Sequence, residues 1–220
     1  MDKALLPLCL YFCADTIRKT MNNYFEDMLP ADELAQVKYI PTIPEFVTWI
    51  ENKWSDLPAL SDTVNTYTYA QMCDAIARKR ALLNALGLVK GDKVAILDGT
   101  TVEAVEMFLA ATSAGYVAIN LPSQLPGPAV AGCCMKFGVK VLAAGKDFMD
   151  AVKDAPCTVI AITDLADQKA PVAVVDKNDP AAIFFTGGTT GAPKGAILPH
   201  RVWKLQHPQY FTIYYFINIT

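Results

Sequence analysis

From Val94 to Phe185 the chain alternates short apolar runs with stretches of helical length, and few architectures accommodate that pattern. Residues 94–97 read as a strand. Thr100 then caps a helix, with Glu103 placed for a capping box and Val102, Val105, Phe108, Leu109 and Thr112 as its apolar stripe. Gly115 closes that helix, and residues 116–121 form the next strand. Pro126 and Pro128 open a helix towards Phe137. Residues 139–143 read as a strand, 146–153 as a short helix and 158–163 as a strand. A polar connection over 164–179 leads to a last apolar run at 182–185. Strands separated by helices at these intervals predict an α/β domain, a largely parallel sheet with helices on both faces. Such a sheet binds ligands at the carboxyl ends of its strands.

The stretch after the last strand is the densest in chemistry. Thr186, Gly187, Gly188, Thr189, Thr190 and Gly191 are followed by Pro193, Lys194 and Gly195. Glycines keep side chains away and permit positive φ, so backbone N–H groups can converge on one point. The threonines add hydroxyl donors and Lys194 a positive charge. This donor set suits an anion with several oxygens, above all a polyphosphate. The P-loop pattern G-x-x-x-x-G-K-[ST] is excluded. Pro193 precedes Lys194 and Gly195 follows it, which leaves no hydroxyl for magnesium.

Residues 186–195 resemble the signature loop of the AMP-forming adenylate enzymes, roughly T-S-G-T-T-G-x-P-K-G. That superfamily holds acyl-CoA synthetases, adenylation domains of peptide synthetases and luciferases. Thr186, Gly188, Thr189, Thr190, Gly191, Pro193, Lys194 and Gly195 match in order, while Gly187 stands where the family usually has Ser. Pro58-Ala59-Leu60, the run from Tyr67 to Met72, and Ser113-Ala114-Gly115 through Pro122 are similar to further short motifs of the family. The resemblance covers Ile43 to Arg201. It implies the incomplete N-terminal domain of an acyl-CoA-synthetase-like fold over 43–201, after an extension and lead-in at 1–42. It implies ATP-dependent activation of a carboxylic acid as an acyl adenylate, followed by transfer to a thiol of coenzyme A or a carrier protein. In that chemistry Thr186, Gly187, Gly188, Thr189, Thr190, Gly191 and Lys194 surround the β- and γ-phosphates of ATP, and magnesium enters with the nucleotide.

No catalytic residue and no protein metal ligand is assigned. The family's adenine, ribose and catalytic-lysine motifs lie beyond position 220, so the chain reads as a truncated N-terminal piece that does not complete adenylation alone. The alternative is a nucleotide-binding fragment or pseudoenzyme without activity. Residues 202–220 form an aromatic-rich tail, read as possibly non-native.

Composition narrows the partners. A formal net charge of −3 gives no basic face for nucleic acid. Six cysteines contain no C-x-x-C pair and lie far in sequence from His200 and His207, which fits free thiols in a reducing, cytoplasmic compartment. The apolar run at 5–14 is too short for a membrane span and is broken by Pro7. It reads as an N-terminal helix, or as an accidental extension ahead of a natural start at Met21.

Nearer the amino end, Pro44 opens a helix carrying Phe46, Val47, Ile50 and Trp54 at helical spacing, broken at 56–58. A second helix follows, with Met72, Ile76, Leu83 and Leu86 towards the core, Arg78, Lys79 and Arg80 in water, and Gly87 at its end. A further helix is expected from Pro199, with His200 and Arg201 as a polar helix start.

Overall fold

The computed structural model describes Gln36 and residues 40–62, 65–186 and 194–203. Its centre is a six-stranded sheet in the order β6-β5-β3-β4-β7-β8: β3 (Lys93–Leu97), β4 (Val117–Asn120), β5 (Val139–Ala144), β6 (Thr158–Ala161), β7 (Pro180–Thr186) and β8 (Lys194–Pro199). All neighbours are parallel except β7 and β8. A separate antiparallel pair joins β1 (Pro58–Ser61) to β2 (Thr66–Thr68).

Period-two alternation divides the strand residues between two cores. Val94, Ile96, Ala118, Val141, Ala143 and Ala182 face α1 (Ile43–Trp54), α2 (Tyr69–Ala85) and α3 (Val102–Ser113). Ala95, Leu97, Val117, Ile119, Leu142, Ala144 and Ile183 face α4 (Gly127–Phe137) and α5 (Met149–Val152). Helices therefore cover both faces, as the alternation predicts. None of the described helices is long and apolar enough to cross a membrane.

Local chemistry starts each helix. Thr42 caps α1, with Pro44 in the first turn. Thr68 and Gln71 form a reciprocal capping box on α2: Gln71 N donates to Thr68 Oγ1 (3.3 Å) and Thr68 N to Gln71 Oε1 (2.8 Å). The cap of α3 is Thr101, one residue later than expected. Its Oγ1 accepts from Ala104 N (3.2 Å) and donates to Asp98 Oδ2 (2.6 Å), which draws it rather than Thr100 into place.

The structure corrects the expected surface of α2. Lys79 and Arg80 are buried, 1% and 4% exposed, while Leu86 at the helix end is 39% exposed. The reason lies in α3, which is buried on nearly all sides between the sheet and the other two helices. A helix placed so deep brings Glu106 and Ser113 inside, and the cations of α2 turn inward to meet them. The polar connection before β7 is held by the same cations. Arg78 Nε donates to Ala166 O (2.7 Å), and Arg80 Nε and Nη2 both donate to Ala170 O (3.1 and 2.9 Å).

Candidate phosphate-binding hairpin

The site begins where β7 leaves the sheet. β7 lies beside β4, with Ala118 opposite Ala182 and Ile119 opposite Ile183. Phe184 and Phe185 then fix the strand from its two faces. The Phe184 ring is 6.2 Å from Phe108 of α3, and the Phe185 ring packs edge-on at 5.6 Å from Phe137 of α4. The chain returns as β8, antiparallel, with Thr186 opposite Lys194 and Phe185 opposite Gly195. One cross-strand pair thus brings the first and last of the candidate residues together at the carboxyl edge of the sheet.

Of the expected phosphate ligands, Gly187, Gly188, Thr189, Thr190 and Gly191 lie outside the described residues, as do the side chains of Thr186 and Lys194. The backbones of Thr186 and Lys194 close the connection from either side. This differs in one respect from the sequence reading, which ran an irregular loop to Gly195 and a helix from Pro199. Residues Lys194–Pro199 are a strand, and only a 3-10 turn follows at His200–Trp203. The run Ala196-Ile197-Leu198 continues β8 along β7, and that pairing satisfies its backbone where the expected loop would leave it unpaired.

Gly195 is required for a reason of packing. A Cβ added there would lie 2.7 Å from Ile183 Cγ2 and 3.3 Å from the Phe137 ring. The residue after the lysine is therefore held to glycine by the neighbouring strand and by α4.

The rest of the carboxyl edge is polar. Asp98, after β3, accepts from Gly99 N (2.8 Å) and Thr101 Oγ1. Gly145, after β5, has no side chain because Asp98 Oδ1 would stand 2.2 Å from its Cβ. Asn120 ends β4, and its Oδ1 is buried with no hydrogen-bond partner among the described residues. No sequence motif marked Asn120 or Asp98; only the strand register brings them to this edge.

His200 and Arg201 do not join the site. Pro199 pairs with Pro180, so they sit at the amino end of β7, about 20 Å of strand away from Thr186. His200 is 1% exposed, not a polar helix start. Its Nδ1 accepts from Ile43 N at the first turn of α1 (3.3 Å), and burial pushes its pKa down to about 4, against a smaller upward pull from Asp179. Lys90 Nζ is 2.7 Å from Asp179 Oδ2, and Arg201 Nη1 donates to Asn178 Oδ1 (3.1 Å). These contacts pin the two ends of β7 and β8 together.

Cys73, Cys133, Cys134 and Cys157 are free thiols, and no cluster of His, Cys, Asp and Glu among the described residues could hold a metal ion.

Comparison with known proteins places this geometry. The pattern of the family described as AMP-binding enzyme matches residues 47–213. The long-chain-fatty-acid–CoA ligase FadD13 of Mycobacterium tuberculosis is 36% identical over 149 residues, 60% of this chain and 29% of that protein. The 4-coumarate–CoA ligase 2 of Petroselinum crispum is 30% identical over 199 residues, 80% of this chain and 36% of that one. Among solved structures, the inhibitor-bound N-terminal domain of FACL13 from Mycobacterium tuberculosis superposes with a TM-score of 0.65 at 28% identity, covering 72% of this chain and 44% of that one. The N-terminal subdomain of Klebsiella oxytoca NpsA does so with a TM-score of 0.64 at 26% identity, covering 72% and 42%. The chain spans little more than a third of the length of either ligase.

Proposed function

The chain belongs to the AMP-binding enzyme family, and on that premise we propose that it is the N-terminal part of an AMP-forming acid–thiol ligase. It contributes the phosphate-binding hairpin to ATP-dependent activation of a carboxylate. Residues 43–201 constitute this part, after a lead-in at 1–42 and before a tail at 202–220. The observation that carries the reading is the register of β7 and β8, which sets Thr186 against Lys194 at the carboxyl edge of a parallel sheet. The intervening glycines and threonines then turn back where parallel strands deliver their ligand loops.

In this reading the backbone N–H groups of Gly187, Gly188 and Gly191 and the hydroxyls of Thr186, Thr189 and Thr190 bind the β- and γ-phosphates. Lys194 adds charge at the rim. The carboxylate oxygen attacks the α-phosphorus, and the bond to the bridging oxygen of pyrophosphate breaks. Negative charge grows on the departing pyrophosphate, and donors already aimed at it lower the barrier without reorganising. Magnesium is carried in by ATP, since the proposed set holds no carboxylate. The thiol acceptor is coenzyme A or a carrier protein, and the setting is cytoplasmic.

Adenine, ribose and the α-phosphate need groups that this set does not include, and positioning all reactants together supplies much of the rate. The chain alone therefore binds ATP weakly and does not turn over. The test is carboxylate-dependent exchange of labelled pyrophosphate into ATP across fatty, aromatic and amino acids, together with direct ATP binding. Weak magnesium-dependent binding that Lys194→Ala reduces, without exchange, is the expected result. Exchange above background, abolished by Lys194→Ala, would make the chain an enzyme in its own right. Absence of any ATP binding would sink the hairpin assignment.

A further inference from the structure

Two thiols meet on the face of the sheet opposite α1, α2 and α3. Cys134 of α4 is 1% exposed and packs with Val130, Val139 and Val152 in one apolar cluster. Cys157, the residue before β6, is half-buried and borders the same cluster. Their side chains come within hydrogen-bonding reach of one another. The neighbouring Cys133 also touches this cluster from a half-buried position, whereas Cys73 sits in the other core. A single buried thiol is adequately explained as a small apolar side chain. A facing pair with one open member has a further capacity: the open thiol can be reached from solvent and the closed one can only reach its partner.

We propose that Cys134 and Cys157 form an oxidisable dithiol, a modification site that a low-molecular-weight disulfide converts into an intramolecular bond between α4 and the turn before β6. Cys157, the more accessible, loses its proton to solvent, and its thiolate attacks one sulfur of the small disulfide. That S–S bond breaks, a mixed disulfide forms, and one small thiol leaves with a proton. Cys134 is deprotonated in turn and attacks the Cys157 sulfur, expelling the second small thiol. Two electrons pass to the oxidant, two thiols are released, and one protein disulfide remains. Burial raises the Cys134 pKa to about 12, so ring closure is the slow step and accelerates as pH rises. In a reducing compartment such a bond is transient and regulatory rather than structural.

The position of the bond gives it reach. Phe137 stands nearly one helical turn beyond Cys134, and its ring packs on Phe185 and against Gly195. Tethering α4 below that contact stiffens the support of the β7–β8 hairpin. This inference rests on the thiol geometry and stands whether or not the hairpin binds ATP.

The experiment uses the full chain carrying Cys9→Ala and Cys13→Ala, which leaves the four thiols of Cys73, Cys133, Cys134 and Cys157. It is treated with oxidised glutathione, denatured and titrated for thiols, then digested and mapped by mass spectrometry. The expected result is a fall from four thiols to two, no retained glutathione, and a peptide linking Cys134 to Cys157. Cys134→Ala should hold glutathione as a stable adduct on Cys157, and Cys133→Ala should behave like the parent. Oxidation should also slow amide hydrogen exchange at Ile183–Phe185. The site is overturned if four thiols persist, if the parent retains glutathione at Cys157, or if the linked peptide contains Cys133 or Cys73. Because the linkage map is made on the parent chain, a variant that fails to fold does not rescue the proposal. Unchanged exchange at Ile183–Phe185 would overturn the coupling to the hairpin.

Discussion

Lys79 Nζ lies 3.4 Å from Glu106 Oε2, and both side chains are buried, at 1% and 9% exposure. The same ammonium donates to Ile162 O, so one cation joins α2, α3 and the turn after β6. Burial pushes Lys79 below the usual lysine range and Glu106 above the usual carboxylate range, and each charge partly offsets the shift of the other. The pair stays ionised because neither member has water to replace its partner.

Breaking the pair from one side leaves the other charge stranded. Lys79→Met or Glu106→Leu alone should cost about 3–5 kcal/mol, whereas the double variant should cost markedly less than the sum. Urea unfolding of the three variants checks this. Additive losses would mean that the two charges do not interact.

Arg80 ties the connection before β7 to the helices, through Ala170 O and through Nη1 on Ser113 Oγ (3.0 Å). A lysine lacks the fork needed for both contacts. Arg80→Lys should lose about 1–3 kcal/mol and raise the rate of proteolysis within 164–179. An unchanged cleavage rate would remove Arg80 from that role.

His200 makes stability depend on acidity. Its pKa falls from an ordinary 6.5 to about 4 on folding, so the unfolded chain takes up a proton first. The contribution is complete above pH 6.5 and is lost as pH falls towards 4, at most about 3 kcal/mol from the size of the shift. Protonation also turns Nδ1 into a donor facing Ile43 N, which removes the contact at the start of α1. His200→Gln should flatten the pH profile of denaturation between 6.5 and 4. A variant profile as steep as the parent's would assign the acid sensitivity elsewhere.

Gly195→Ala should force Ile183 or Phe137 aside, at a cost of about 1–3 kcal/mol in thermal or denaturant unfolding. If the hairpin binds phosphates, the same substitution should weaken ATP binding, because the strand that carries Lys194 must shift.

Gly187 stands where the family usually has Ser. Gly187→Ser should strengthen ATP binding in a chain extended to full family length by about 1 kcal/mol, the worth of one neutral hydrogen bond. Isothermal titration with ATP and pyrophosphate measures it. Equal or weaker affinity would mean that the position does not touch a phosphate oxygen.

The sequence by itself determined the order of strands and helices and the place of the phosphate hairpin. Both rest on short-range signals. Strand residues alternate between two cores with period two, the capping threonines act within one turn, and the spacing of Gly, Pro and Lys after β7 is a local pattern. The tertiary structure alone decided the surroundings of the charged residues. Lys79 and Arg80 look solvated within the pattern of α2, but α3 sinks between the sheet and the outer helices and carries Glu106 and Ser113 to meet them. His200 follows the hairpin closely in sequence, yet the antiparallel return of β8 takes it to the opposite end of the sheet, under the first turn of α1. Burial and pairing of a charge depend on contacts between residues far apart in the chain, such as 43 with 200 and 80 with 170, and periodicity along one element holds no record of them.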